Sequence, residues 1–394
     1  MPTLSDRRKW TYGALARRID AATPAGRDRT LDGLRALALL GVVVGHWLVM
    51  PLHPDATGAL HVSSPLAALP GFAPVSWLLQ MLGLFFLVGG YASARSYQAP
   101  YRVWVRRRLV RLARPVVALV IALGVGLPLL GFLGVPAGTL RTTVVLTVQP
   151  LWFLAVYAVV TALTPVIIAT VRRLGAGAAV PPLLLVAAVD LLRYGPWQHA
   201  MPGWLGLVNL LPGWAFGYVL GVAWAGGRLG RRGAALLAAG GAALGVLLVA
   251  RFGYPVSMVG VPGAARTNSH PPSLLVLALA ASQCGLAILL RDRIAALLRR
   301  PRWWAAAALV NLGTLTILCW HQVAQVLVCG VTLALAPHGV PGLLDVPRGP
   351  GWILFRVGWL PGYLIVLGCC VLLARRFERP WVRVDPQRRS PRSA

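Results

Sequence analysis

The sequence predicts an all-α polytopic membrane protein with about ten transmembrane helices and both termini on the cytoplasmic side. Three observations predict it. The 394 residues are 57% hydrophobic and only 12% charged, with a mean hydropathy of +0.70. Apolar runs of about 20 residues recur along the chain, the length a helix needs to cross a hydrocarbon core about 30 Å thick. The basic residues gather in alternate connections between those runs, as the positive-inside rule requires.

The ten spans are read at about 31–50, 75–94, 115–135, 151–171, 178–192, 203–225, 234–251, 273–290, 305–335 and 352–374. The fifth is short. The ninth is longer than a straight span needs, so it tilts or breaks. The net charge of +28 comes from 38 Lys and Arg against ten acids. Of those 38, 31 fall in residues 1–30, 95–114, 172–177, 226–233, 291–304 and 375–394. Those segments share one side only if the count is ten, since an error of one span would scramble the pattern. The same clustering explains the charge without nucleic acid, and none is expected as a partner. The chain therefore divides into a basic N-terminal segment (1–30), a membrane domain (31–374) and a basic tail (375–394), all cytoplasmic or membrane-embedded, with the lipid bilayer of the plasma membrane as surroundings. The N-terminal segment is too long and too charged for a simple signal peptide. The five Cys all lie in apolar runs, so neither a disulfide framework nor a metal site is expected from them.

The first span, TLDGLRALALLGVVVGHWLVM, is unusual in carrying Asp32, Arg35 and His46. Ionisable residues inside a span are costly and mark function or a satisfied interior contact. Arg35 and His46 are eleven residues apart, almost three turns, so they share a helix face and lie roughly 16 Å apart along the axis. Asp32 can pair with Arg35 at i,i+3. From a cytoplasmic start, His46 lies past the membrane midplane and Arg35 near the inner surface. Gly41 and Gly45 have the spacing that lets another helix approach beside His46.

The following loop holds His53, Asp55 and His61, read as solvated residues near an outer surface in preference to a metal site. The second span ends LFFLVGGYASARS, where Gly89 and Gly90 imply tight packing or a bend. YRVWVRRRLVRLARP then interleaves Trp104, Leu109 and Leu112 with Arg, the pattern of an interfacial helix. Its density of guanidinium forks also suits the phosphates of a nucleotide-bearing donor. LWFLAVY reads as an aromatic belt at the outer interface. Asp190 and Arg193 read as a structural pair, and Asn209 and Gln283 as interhelical hydrogen-bonding groups. The loop 253–272, with Arg266, Thr267, Asn268, Ser269 and His270, either lines a polar acceptor site or is only a loop. In the ninth span LCWHQVAQV places His321 at a depth close to that of His46, with Gln325 one turn further on the same face. Two imidazoles at matched depth point to a shared polar cavity, against the alternative of a core His bonded to a carbonyl.

These residues carry a resemblance. LDGLRALALLGVVVGHW is similar to the first helix of the acyltransferase-3 family of integral-membrane O-acyltransferases, which places an Arg and a His ten intervening residues apart. Arg35 and His46 match that pattern. FFLVGGYASARS followed by RRRLVRLARP resembles the family's cytoplasmic Arg-x-x-Arg connection, matched by Arg108 and Arg111, with Arg111 and Arg114 as an alternative register. LWFLAVYAVVTALTP, TNSHPPSLLVLALAASQCGLAILL and LCWHQ also resemble family segments, so the likeness runs from about residue 30 to 374. One departure is GWAFGYVLG, with Tyr218 and Val219 where His-Gln is expected. No segment resembles the extracytoplasmic hydrolase-like domain that some relatives append.

The resemblance implies an enzyme, an acyltransferase moving groups other than aminoacyl groups. The donor would be a cytoplasmic acyl-CoA, with acetyl-CoA expected, acting as co-substrate with no bound cofactor. The acceptor would be a hydroxyl or amine of a sugar, glycan, lipid-linked or exported compound. Arg108, Arg111 and Arg114 would hold the donor phosphates. His46 would serve as general base or carry the acyl group briefly, and Arg35, beside Asp32, would stabilise developing charge or hold the donor. His321, Gln325 and Asp32 form a possible second polar site. The rival reading is a multi-pass transporter or flippase using the same polar groups as a path, although matching broken halves are not visible in the sequence. The orientation is directly testable. Reporter fusions after Arg172 and Arg299 should read cytoplasmic and those near Asp55 and Arg266 external, and an external reading at Arg299 breaks the ten-span count.

Overall fold

The computed structural model describes residues 11–336 and 339–378, with Phe377 and Glu378 described by backbone alone. The outer parts of the expected basic termini, residues 1–10 and 379–394, lie outside the described residues. Among the described residues nine helical stretches are long and apolar enough to cross a membrane. A tenth, α12 (Leu274–Leu289) with α13 (Arg291–Leu298), does so as a pair bent by 59°. The expected all-α, many-span architecture is therefore the observed one, and the differences lie in where the spans begin and break.

The first span is α2 (Arg29–Val49), preceded by α1 (Tyr12–Ala21). Asp28 caps α2 by accepting from Thr30 N (3.1 Å) and Leu31 N (3.2 Å), which satisfies two of the orphan donors of a first turn. The second span breaks at Gln80 and Met81 into α3 (Val75–Leu79) and α4 (Leu82–Ser96). That break lies against Gly41 and Gly45 of α2, where no side chain stands in the way. The expected interfacial helix is not separate from the third span. Both form one 32-residue helix, α5 (Tyr101–Phe132). Its face bearing Val117, Val120, Ile121 and Val125 is exposed, as suits contact with lipid.

The fourth and fifth spans depart most from the expected boundaries. Residues 137–148, read as an outer loop, form α6 (Ala137–Val148), which continues into α7 (Leu151–Ala162) to make the fourth span. The physical reason is local. Thr143 and Thr147 donate back to the carbonyls of Thr139 (2.8 Å) and Thr143 (2.7 Å), so their hydroxyls are satisfied inside the helix and need no water. The fifth span then runs from Thr164 to Tyr194 through α8 (Thr164–Leu174) and α9 (Val180–Tyr194), so Arg172 and Arg173 sit within it. The chain continues through α10 (Leu210–Ala225), α11 (Arg231–Phe252), the bent α12–α13 pair and α14 (Pro301–Leu312). The long ninth stretch does break, at Gly313, between α14 and α15 (Thr314–Leu335). α16 (Gly351–Gly358) and α17 (Leu360–Glu378) complete the chain.

Two ends of the bundle are distinguished by contacts. At the basic end α1 docks on α14, where Tyr12 donates to Arg302 O (2.6 Å) and Trp304 to Thr23 (2.6 Å). At the far end β1 (Leu52–Pro54) and β2 (Leu60–Val62) form an antiparallel hairpin with His53 opposite His61. Leu60 N donates to Thr139 of α6 (2.9 Å), fixing the hairpin to the bundle. The segment 253–273 closes over the same end. Its Asn268 donates to Pro255 O (2.7 Å) and Ser257 O (2.8 Å). Asp190 accepts from Asn209 (3.1 Å), Tyr254 (2.9 Å) and Leu274 N (2.7 Å), whereas Arg193 stands 3.8 Å away. The expected Asp190–Arg193 pair is thus secondary to a cap on α12.

Helices α4 and α10 meet backbone against backbone. A side-chain carbon at Gly90 would meet the backbone carbonyl of Tyr218, and one at Gly221 that of Leu87. The paired glycines therefore serve tight packing. Gly90→Val should remove most folded protein from the membrane, because backbone gives way far less readily than a side chain. Gly124→Ala, in open space, should change the yield little. Equal yields of the two variants, read by size-exclusion chromatography, would sink this account of the contact.

Candidate active site

Helix α2 places Asp32 and Arg35 at the basic end and His46 towards the far end, as its periodicity requires. His46 meets His321 of α15. Its Nδ1 lies 2.8 Å from His321 Nε2, with ring centroids 5.0 Å apart and planes inclined by 13°. Near-coplanar rings this far apart are joined edge to edge through nitrogen and are not stacked face to face. His321 Nδ1 lies 2.7 Å from Leu318 O. A carbonyl only accepts, so that nitrogen carries the proton and Nε2 is left as an acceptor. In the neutral pair His46 Nδ1–H therefore donates to His321, and His46 Nε2 keeps its lone pair. Of the alternatives posed by the sequence, the carbonyl bond holds: His321 is fully buried against Leu318 O and touches His46, and of the two imidazoles only His46 lines the cavity.

Neighbouring bonds lock this register. Trp47 donates to His321 O (2.9 Å), and Gln325 donates to Met50 O (2.5 Å), tying one turn of α15 to the last turn of α2. Gln325 is thus a structural bond at this junction and does not line the adjoining cavity. Gln322 lines it instead, buried, with its Oε1 lacking a hydrogen-bond partner. The signal for Gln322 was its place beside His321 in LCWHQ.

The cavity has a volume of about 280 Å³. His46, Gln80, Gln149, Trp152, His270 and Gln322 are among its polar and aromatic lining, with serines beside them and mostly apolar walls. No Asp, Glu, Lys or Arg lines it. His270, from the 253–273 segment, sets its ring edge-on to Trp152 at 5.0 Å. Desolvation at this site holds the His270 imidazole below its ordinary pKa, favouring its neutral form. This segment thus lines a polar site and is more than a loop. LWFLAVY, by contrast, is no interfacial belt. Phe153 packs edge-on against Phe85 (5.1 Å) and Phe86 (5.5 Å) in the core, and Trp152 faces the cavity.

The basic end holds the second constellation. Buried Asp32 accepts from Arg27 Nε (2.5 Å) and Arg35 Nη1 (3.0 Å), while Asn311 donates to Asp32 O (2.7 Å). Asp32 therefore belongs with Arg35 and lies away from His321. Arg108 turns inward, donating to Ser93 Oγ (3.3 Å), Ala92 O (3.3 Å) and Ser96 Oγ, with its guanidinium 5.0 Å over Trp104. It thereby satisfies the C-terminal turn of α4. Arg111 and Arg114 remain exposed. Tyr157 lies within electrostatic reach of both Arg35 and Arg108, so the two Arg motifs converge across it. Tyr218, the departure from the family pattern, is buried and hydrogen-bonded to Thr164 (2.6 Å). In the hairpin Asp55 pairs with His61 (2.8 Å), and no group of three metal-ligating side chains occurs among the described residues.

The class that the fold defines is a many-helix membrane bundle, with one imidazole of an interhelical pair opening on an internal cavity. The acyltransferase-3 family model, an acyltransferase domain, matches residues 28–375, nearly the whole chain. The chain belongs to that family. No curated protein and no solved structure matches it.

The Asp32 cluster makes its own prediction. Asp32→Asn leaves two guanidiniums facing a neutral amide. Hydrogen bonds to charged groups contribute about 1.5–3 kcal/mol, and the exposure of Arg27 reduces its share. Chemical unfolding of the purified protein should therefore show a loss of about 1–3 kcal/mol. An unchanged midpoint would remove Asp32 as the anchor of this end.

Proposed function

We propose that this acyltransferase moves an acyl group, acetyl being expected, from acyl-CoA at the basic end to a hydroxyl held in the far-end cavity. The observation that carries the reading is the polarised chain from Leu318 O through His321 to His46, which leaves His46 Nε2 free beside a cavity. In this reading Nε2 takes the proton of the acceptor hydroxyl. The oxygen attacks the thioester carbonyl carbon, the C–S bond breaks, and the CoA thiolate recovers the proton from the imidazolium. His321 holds the His46 tautomer and shares the developing positive charge, the part that a carboxylate takes in other triads. The cavity lining has no acid to hold an ammonium, which favours a hydroxyl over an amine. Its Gln amides and Trp152 suit a neutral polyol such as a sugar.

The donor's phosphates would lie against Arg111 and Arg114, with Arg35 and Arg108 deeper and the pantetheine arm passing between helices towards Tyr157. The basic end would face the cytoplasm of a cell whose plasma membrane holds the protein, with both termini inside. The charge asymmetry of the connections supports that orientation.

Labelled acetyl-CoA added to membranes tests the reaction itself. His46→Gln should lower transfer about 10²–10⁴-fold, since an amide cannot take the proton. His321→Gln should retain more activity than His321→Ala, because its carbonyl can still accept from His46 Nδ1–H. Equal loss in both would leave His321 as packing. Arg111→Ala should raise the KM for acetyl-CoA with kcat little changed, and Arg111→Lys should restore it only in part. Unchanged KM places the donor elsewhere.

A further inference from the structure

Arg356 of α16 has no place in the chemistry above, yet it is fully buried at the far end of a membrane bundle. Its Nε donates to Trp47 O (2.8 Å), and its Nη1 donates to Gly342 O (3.2 Å) and Tyr363 OH (2.7 Å). The Tyr363 and Trp352 rings flank it at 5.2 and 5.9 Å. Nη2 has no hydrogen-bond partner. Among the described residues no carboxylate pairs with it. Asp345, next along the chain, is engaged by Gly342 N (2.8 Å) and the Trp352 indole (2.7 Å). Cys329 stands beside the guanidinium, but a thiol is only a weak acceptor. Carbonyl dipoles, including that of Trp47 in the last turn of α2, offset part of the charge. A buried cation without a counter-ion still costs several kcal/mol.

A second cavity adjoins it. Arg356 lines this cavity with Leu48, Leu66, Phe72 and Trp352, and its volume is about 50 Å³. One water needs about 10–15 Å³, so there is room for a halide with water or for a carboxylate, and none for a sugar or a nucleotide. The two cavities share Val49, Ser76 and Leu79 as wall. We propose that Arg356 and this small cavity form a binding site for a small monovalent anion, either a halide or a free carboxylate of acetate size. The site supplies the missing counter-charge and the missing partner for Nη2. Through Trp47, whose indole holds His321, an occupant also steadies the end of α2 that carries His46. The site stands on its own geometry and does not depend on the acyl-transfer reading.

The test uses the purified full-length protein in detergent, exchanged into sodium gluconate. Sodium bromide or sodium acetate then replaces gluconate at constant ionic strength. A small anion at ten times its Kd should raise the thermal midpoint by about 2–4 °C, with saturation. Gluconate is too large to enter. Bromide alone raising it assigns a free halide, and acetate alone assigns the carboxylate. Arg356→Gln should abolish the rise. Since that variant risks misfolding, Leu66→Phe fills the cavity without touching the guanidinium, and it should unfold cooperatively at one midpoint in every salt. A wild-type midpoint indifferent to all three salts, or a rise that survives in Leu66→Phe, overturns the proposal.

Discussion

The bond between His46 and His321 is the constraint on which the far half of the bundle depends. It joins residues 275 apart in sequence, so α2 and α15 must meet at one register. The Trp47 and Gln325 bonds serve the same register from either side. Interhelical hydrogen bonds in membranes average about 0.6 kcal/mol each. Three of them are small beside the packing of two helices. Their value is directional: sliding α15 by one residue would rotate His321 by about 100° away from His46 and leave three polar groups without partners in an apolar interior.

That register needs a floor, and the glycine contacts supply it. With α4 lying backbone against backbone on α10, the α3–α4 break falls opposite Gly41 and Gly45 of α2. The break turns Gln80 towards Ser269 (2.5 Å), so the second span closes the cavity and meets the segment that roofs it. Small residues thus position polar ones. Replacing packing glycines would move the cavity wall even though none of them touches a substrate.

Much of this was legible in the sequence, for physical reasons that differ by residue. Helical arithmetic is exact enough to put Arg35 and His46 on one face, and the matched depths of His46 and His321 followed from the span count. The alternation of Arg-rich connections pointed to about ten spans, although Arg172 and Arg173, read as part of one connection, lie within the fifth. The boundaries of the fourth and fifth spans were not legible. Thr143 and Thr147 look like loop residues in a hydropathy reading, and only their back-bonding to the preceding turn makes them compatible with an apolar setting. Gln325 and Gln322 are three residues apart, and composition does not say which faces the cavity. Arg356 falls near the start of the last apolar run, where the sequence gives no sign of its partners. Its isolation emerges only when Asp345 is seen bonded to Trp352.

The distribution of charge links the two halves to one task. The acyl-CoA proposed as donor carries several negative charges and a thin neutral arm, so its site would need cations at one surface and none along the path. Exposed Arg111 and Arg114 stand at the basic end, Arg35 and Arg108 are held inward by Asp32, Ser93 and Ser96, and the cavity beyond is free of formal charge. A transport path would favour ionisable groups continuing from one end to the other. Here the formal charges stop short of the cavity, and the imidazoles of His46 and His270 remain on its wall, where the proposed reaction would bring a thioester and a hydroxyl together. Low polarity around the His46–His321 pair strengthens the hydrogen bond in it and, in the proposed reaction, would limit the competition of water for the acyl group. Arg356 is the exception to this pattern. It lies behind the wall of the cavity and not in it, where its bond to Trp47 O holds the α2 terminus without placing a charge in the space proposed for the reactants.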